Sequence, residues 1–106
     1  MAWVYLFIAG VFEVVWAYAM KQSDGFTRPW PTAVMAVTIA GSVGLLALSM
    51  RTLPLGTAYT IWTGIGAIGT FAVGIFVLGE QVSAIRLSAA ALIIAGLVLM
   101  RVSSTA

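Results

Sequence analysis

Glu13 is an acidic side chain inside a strongly apolar segment of the sequence. The segment reads AGVFEVVWAYAM over residues 9–20. An ionisable group at that depth in a membrane segment is expensive, so it indicates a binding site or an ion pathway. Because loss of water disfavours the charged form of a carboxyl group, a proton and a cation are expected to compete for Glu13. Such competition is the elementary requirement for exchanging one for the other.

The rest of the sequence contains no catalytic or metal-binding constellation. Cysteine and histidine are both absent, which removes thiolate chemistry and the common transition-metal ligands. GIGAIG at residues 64–69 matches the dinucleotide-binding fingerprint, but the strand and the acidic residue that the fingerprint requires are missing around it. Five scattered cations form no basic stripe for nucleic acid. We therefore predict neither an enzyme nor a protein with a cofactor, a metal or a nucleic-acid partner.

Four apolar segments are long enough to cross a lipid bilayer. The sequence is 62% hydrophobic and 8% charged, whereas about a quarter of the residues in soluble domains are charged. A spanning helix needs roughly 20 apolar residues. The predicted spans are about 3–20, 31–50, 55–78 and 84–101. We predict an all-α membrane protein in which residues 1–106 form a single four-helix domain.

Turn-forming and helix-starting residues separate the four spans. SDG at 23–25 predicts a turn, with Asp24 bonding to the backbone and a glycine at positive φ. Pro29 and Pro31 stand where the second helix is expected to begin, and Pro54 does so for the third. Ser83 is a candidate N-cap for the fourth span.

Helical spacing predicts which residues surround Glu13. Residues three and four apart share a helix face, so Gly10 and Trp16 accompany Glu13, and the third span places two amphipathic aromatics together. The predicted set around a bound cation is Glu13, Trp16, Ser42, Tyr59, Trp62 and Gly10. Aromatic ring faces attract cations, while hydroxyl groups and the Trp16 indole N–H are expected to donate to the carboxylate.

Small residues in the third and fourth spans have two interpretations each. Glycines inside a membrane helix permit close packing and weaken the backbone ladder, so they also permit a bend. The glycines concerned are Gly64, Gly66 and Gly69. In the fourth span, small residues recur at spacings of four, three and four and form a seam suited to assembly or to packing within the chain. These residues are Ala84, Ser88, Ala91 and Ala95.

The basic residues are almost evenly divided between the two sides of the predicted bundle. Lys21, Arg28 and Arg86 share one side, and Arg51 and Arg101 share the other. Because the positive-inside rule acts through an excess of Lys and Arg, a difference of one barely selects an orientation. If copies insert in both orientations, they can form an antiparallel dimer. The alternative is that Lys21 and Arg28 alone fix a single orientation. Such a dimer would contain the inverted repeat that transporters commonly use.

Several stretches together resemble the small multidrug resistance family, and the match covers essentially the whole chain. They are GVFEVVWA at 10–17, GFTR at 25–28, LPLGTAYTIWTGIGA at 53–67 and GE at 79–80. The sequence resembles the guanidinium-exporter branch of this family more closely than the quaternary-ammonium branch. This distinction depends on Trp16, Ser42 and the WTGIGA stretch.

The resemblance implies an antiparallel, dual-topology homodimer that exchanges guanidinium for protons across the bacterial inner membrane. It implies that Glu13 binds the two in turn and that the other residues of the predicted set surround it. The fourth span matches the family's dimerisation helix, and GIGAIG matches a bend that differs between the two subunits. Guanidinium suits this site because it presents paired N–H donors to a carboxylate.

Three other functions remain open at this point. A broad exporter of quaternary ammonium ions and cationic drugs would use the aromatic and apolar contacts alone. A cation channel would conduct without coupling to a pH gradient. A non-transporting assembly subunit would use Glu13 only to hold helices together.

Overall fold

The computed structural model describes residues 1–103 and consists of four α-helices, with no strand in that range. The helices are α1 (Ala2–Gln22), α2 (Pro29–Ser49), α3 (Leu55–Phe76) and α4 (Ala84–Ser103). Each is long and apolar enough to cross a membrane. The predicted all-α class with four membrane helices is therefore confirmed, and the antiparallel dimer stays a prediction.

The helices begin at residues that satisfy or remove backbone donors. Pro29 is the first residue of α2, where its missing N–H is not needed. Pro54 immediately precedes α3 in an extended conformation. The hydroxyl of Ser83 accepts a hydrogen bond from the backbone N–H of Arg86 at 3.2 Å. Ser83 is therefore the N-cap of α4, as predicted.

The connection between α1 and α2 is a tight turn organised by Ser23. Its hydroxyl donates to the carbonyl of Met20 at 2.7 Å and accepts from the N–H of Phe26 at 3.2 Å. Asp24, Gly25 and Phe26 all have positive φ, between 50° and 70°. The prediction that Asp24 supplies the side-chain bonds was wrong, because the buried Ser23 already bonds to the backbone on both sides of the turn.

The four helices form a thin slab in which α1, α2 and α3 all contact one another and α4 lies at one edge, beside α3. The slab measures 43 × 35 × 16 Å, so its thinnest direction is about one and a half helix diameters. α1 packs against α2 and α3, and α4 contacts only α3. α4 has no buried residue. The core cluster comprises Leu6, Ala9, Leu46, Leu53, Ala58, Ile61 and Trp62.

Large apolar side chains cover the outer faces of this slab. Phe7 on α1, Val37 on α2 and Leu92 on α4 are all exposed. In a bilayer such side chains contact lipid at no hydrophobic penalty, so burial inside the chain is needed only where helices meet. The core therefore lies along the α1–α2–α3 contact, beside Glu13.

Candidate functional site

Glu13 lies on the side of α1 that faces α3. Its carboxylate rests against the backbone of Gly66, so closely that a Cβ at position 66 would overlap Oε1. Oε1 is buried and has no hydrogen-bond partner among residues 1–103. Leaving a buried acceptor unpaired costs about 1–3 kcal/mol. The side chain is thus held in the helix interface with its acceptor capacity unused.

Trp16 follows Glu13 by one helical turn and packs against the core cluster. Its indole Nε1 is also buried without a hydrogen-bond partner in the described part of the chain. The prediction that this N–H donates to the carboxylate was therefore wrong for this conformation. An unpaired donor and an unpaired acceptor now lie on neighbouring turns of the same helix, which is uncommon for buried polar groups.

Ser42 joins three helices through its hydroxyl group, which is completely buried. The hydroxyl donates to the carbonyl of Ala9 on α1 at 2.7 Å and accepts from Nε1 of Trp62 on α3 at 2.9 Å. In helical geometry the same carbonyl also accepts the backbone N–H of Glu13. Ser42 therefore bonds to the turn that carries Glu13, and it fixes the orientation of the Trp62 indole.

The predicted bond from Ser42 to the Glu13 carboxylate was wrong. A serine hydroxyl has a single proton to donate, and here it donates that proton in the hydrogen bond to the Ala9 carbonyl. The lone pairs of the oxygen then remain for the Trp62 indole. Sequence spacing placed Ser42 at the correct helix interface without revealing that a backbone carbonyl would be its acceptor.

Tyr59 and Trp62 form an aromatic pair on α3. Their ring centroids are 5.5 Å apart and the planes are tilted by 57°, a geometry favoured by the ring quadrupoles. Trp62 is 9% exposed, whereas Tyr59 is 53% exposed. The structure brings Trp62 into the core beside Ser42, and Tyr59 lies on the outer side of that indole.

Glycines bring the backbones of α1 and α3 together on both sides of Glu13. A Cβ at Gly10 would overlap the side chain of Ile65, and a Cβ at Gly69 would overlap that of Val14. Gly10, included in the predicted set for its place beside Glu13, therefore receives a side chain from α3. These contacts allow the close approach that helices in lipid obtain from small residues.

The three glycines predicted to permit a bend lie within a continuous helix that runs from Leu55 to Phe76. Gly66 receives Glu13, and Gly64 receives Leu97 of α4. Each glycine contact therefore has a packing role in this conformation. The bend between conformations stays a prediction.

The small-residue seam of α4 faces away from α3. All four of its residues, Ala84, Ser88, Ala91 and Ala95, are exposed. α4 contacts α3 through its other side, where Leu97 packs on Gly64. The Ser88 hydroxyl bonds only to its own helix, at the carbonyl of Ala84. This seam is therefore not used for packing within the chain, and its role in assembly stays a prediction.

Comparison with known proteins identifies a family and several relatives that match most of the chain. The family model described as Small Multidrug Resistance protein matches residues 1–100. The chain is 56% identical over 70 residues to the guanidinium exporter of Yersinia pseudotuberculosis serotype I (strain IP32953), covering 66% of this chain and 67% of the relative. It is 50% identical over 70 residues to the guanidinium exporter of Proteus vulgaris, with the same coverage.

These matches agree with the helices and with the sequence resemblance. The relatives are named as exporters, and the four apolar helices indicate a multi-pass protein of the bacterial inner membrane. The family resemblance drawn from the sequence is confirmed. The chain belongs to the small multidrug resistance family.

Proposed function

We propose that this protein exports guanidinium, and small alkylated relatives of it, in exchange for protons that compete for Glu13. The names of its relatives support the substrate class. The observation that carries the proposal is the buried Oε1 of Glu13, which has no hydrogen-bond partner among residues 1–103 and lies against Gly66. A bound proton or a bound cation would satisfy this unpaired acceptor, so the carboxylate favours binding one or the other.

Glu13 is the only carboxylate within the described helices, because Asp24 and Glu80 lie in connections. Guanidinium can present two parallel N–H donors to a carboxylate, as an arginine side chain does. A protonated carboxyl group has lost the negative charge that attracts the cation. Proton and guanidinium therefore exclude one another, and exchange across the membrane follows when the site opens to each side in turn.

The aromatic residues of α3 supply the second element of recognition. The Trp62 indole is held by Ser42, and Tyr59 lies against the Trp62 ring. A planar cation bound at Glu13 would gain attraction from an aromatic face. Two residues of α1 complete the proposed site. Trp16 supplies a second indole one turn from Glu13, and Gly10 allows α3 to approach α1 closely.

We further propose that two antiparallel copies form the working transporter. A slab only 16 Å thick provides a thin wall around a pathway, and eight helices from two copies would enclose it. The seam on α4 is exposed and turned away from α3. Opposite orientations would create an inverted repeat, which supports alternating access. The glycines of α3 would then permit different bends in the two copies.

Substrate flux into proteoliposomes tests this function. Purified protein should move radiolabelled guanidinium uphill when a proton gradient is imposed, and the flux should saturate. Tetraphenylphosphonium, a bulky cation without N–H groups, should move poorly. Movement of the bulky cation alone would indicate a drug exporter. Guanidinium flux that is independent of a pH gradient would indicate a channel, and no flux would contradict transport.

A further inference from the structure

A cavity of about 340 Å³ is lined by α1, α3 and the start of α4, and it runs from Ala17, one helical turn after Glu13, toward one end of the bundle. Three charged residues from different elements line it: Lys21 in the last turn of α1, Glu80 in the α3–α4 connection and Arg86 in the first turn of α4. Tyr18 and Thr70 also line it. This end of the helices is where a spanning protein meets the lipid headgroups.

The three charged groups that line this cavity do not neutralise each other. Lys21, Glu80 and Arg86 form no ion pair within the described chain. The backbone N–H of Glu80 donates to the carbonyl of Gly74 at 2.9 Å, and its carboxylate lies against the Gly74 backbone. The cavity thus offers two cations and one anion that are available to a ligand.

A second cavity of about 250 Å³ lies beside the first, between α3 and α4. The two share Ala67, Phe71 and Arg86. The Arg86 guanidinium lies over the Phe71 ring, 5.7 Å from its centroid, so this pair stands where the cavities meet. Apart from Arg86, the second cavity is lined by apolar residues only: Ala67, Ile68, Phe71, Ala89, Ala90 and Ile93.

We propose that the two cavities together bind one phospholipid with an ammonium headgroup. Its phosphate lies between Lys21 and Arg86, its ammonium group reaches Glu80, and the beginning of an acyl chain follows the apolar cavity. Lys and Arg near the membrane surface attract lipid phosphates, and a carboxylate accepts hydrogen bonds from an ammonium group. Each charged group of the cavity thereby meets an opposite charge.

The charge pattern selects phosphatidylethanolamine among the common phospholipids. Phosphatidylcholine carries a positive charge without N–H donors, so it makes no hydrogen bond to Glu80. Phosphatidylglycerol has no cation, so it leaves the carboxylate unpaired. A free phosphate ion would leave both Glu80 and the apolar cavity without a partner.

Native mass spectrometry of the detergent-purified protein tests the headgroup preference. The three lipids, with identical acyl chains, are added at equal concentrations. We expect phosphatidylethanolamine to bind about threefold better than the other two, the size of effect expected from one exposed charge-assisted contact. Glu80→Gln should remove this preference, whereas Asp24→Asn, which removes a carboxylate from the α1–α2 connection, should leave it unchanged.

Substitutions of the two cations test the proposed contacts with the lipid phosphate. Lys21→Gln and Arg86→Gln should each reduce binding of all three lipids, and Arg28→Gln, a cation outside both cavities, should not. Equal binding of the three lipids by the unmodified protein would overturn the proposal. It would also be overturned if Asp24→Asn acted like Glu80→Gln, or if phosphoethanolamine without acyl chains displaced the lipid at equal concentration.

Discussion

Gly66 of α3 lies directly against the carboxylate of Glu13, and a Cβ at position 66 would overlap Oε1. Gly66→Ala must therefore displace the acidic side chain from its place in the α1–α3 interface. Because small misplacements of a reacting group lower rates steeply, we expect guanidinium uptake to fall about a hundredfold. Initial rates in proteoliposomes, at matched protein content, measure this effect.

Gly44→Ala is the matched control for that substitution. No atom lies within 4 Å of a Cβ built at Gly44 in α2. The added methyl group should stabilise the helix by about 0.5–1 kcal/mol and leave uptake unchanged. Normal uptake by Gly66→Ala would show that the close contact with Glu13 does not limit transport.

Ser42→Ala should destabilise the fold as well as the site. It removes the hydroxyl that joins Ala9 to Trp62 and leaves the buried indole N–H without an acceptor. We expect the free energy of unfolding in detergent to fall by about 1–3 kcal/mol. Denaturation followed by circular dichroism measures the change.

Thr38→Val provides the comparison on the same helix. The Thr38 hydroxyl bonds only to α2 itself, at the carbonyls of Val34 and Met35. Its loss should therefore change the unfolding free energy much less than the loss of Ser42. Equal effects of the two substitutions would indicate that the three-helix link contributes nothing of its own.

Much of the fold follows from the sequence because a bilayer permits few alternatives. Four apolar runs long enough to span must form helices, since every backbone group needs an internal partner. Pro29, Pro54 and Ser83 then define the first residues of three helices. The order of the helices in the slab depends instead on tertiary contacts, such as Ile65 entering the space at Gly10.

The candidate site was only partly predictable for a related reason. Helical spacing gives the face on which a residue lies, and it brought Ser42 and Trp62 to one interface. It does not give the acceptor of a hydroxyl, because the Ala9 carbonyl belongs to another helix. Nor does it show that Gly66 makes room for Glu13, since that contact depends on how closely two backbones approach.

Guanidinium binding should weaken as the solution becomes more acidic. A proton on Glu13 removes the charge that binds the cation, so the apparent Kd should rise by up to about tenfold for each unit of pH on the acidic side. Isothermal titration calorimetry over a range of pH measures the slope. Glu80→Gln should retain the same slope, and a Kd that is independent of pH would contradict competition.

The seam on α4 should control assembly. Ala91 is exposed on the side of α4 that is turned away from α3. Ala91→Phe should weaken dimerisation, because a large side chain prevents the close approach that small residues allow. Cross-linking in liposomes measures the dimer fraction.

A phenylalanine on another exposed helix face controls for size alone. Val37 on α2 is 72% exposed, and Val37→Phe should leave the dimer fraction unchanged. Unaltered assembly of Ala91→Phe would count against α4 as the interface. Equal weakening by both substitutions would point to a general effect of bulk on insertion.

Proton-driven guanidinium exchange by Glu13→Gln tests the central claim most directly. Glutamine keeps the size of the side chain but has neither the negative charge nor a group that takes up and releases a proton in this pH range. Under an imposed pH gradient, the unmodified protein should accumulate radiolabelled guanidinium, and the variant should accumulate none while folding normally. If Glu13→Gln still drives uphill uptake at a comparable rate, Glu13 is not the group for which protons and substrate compete.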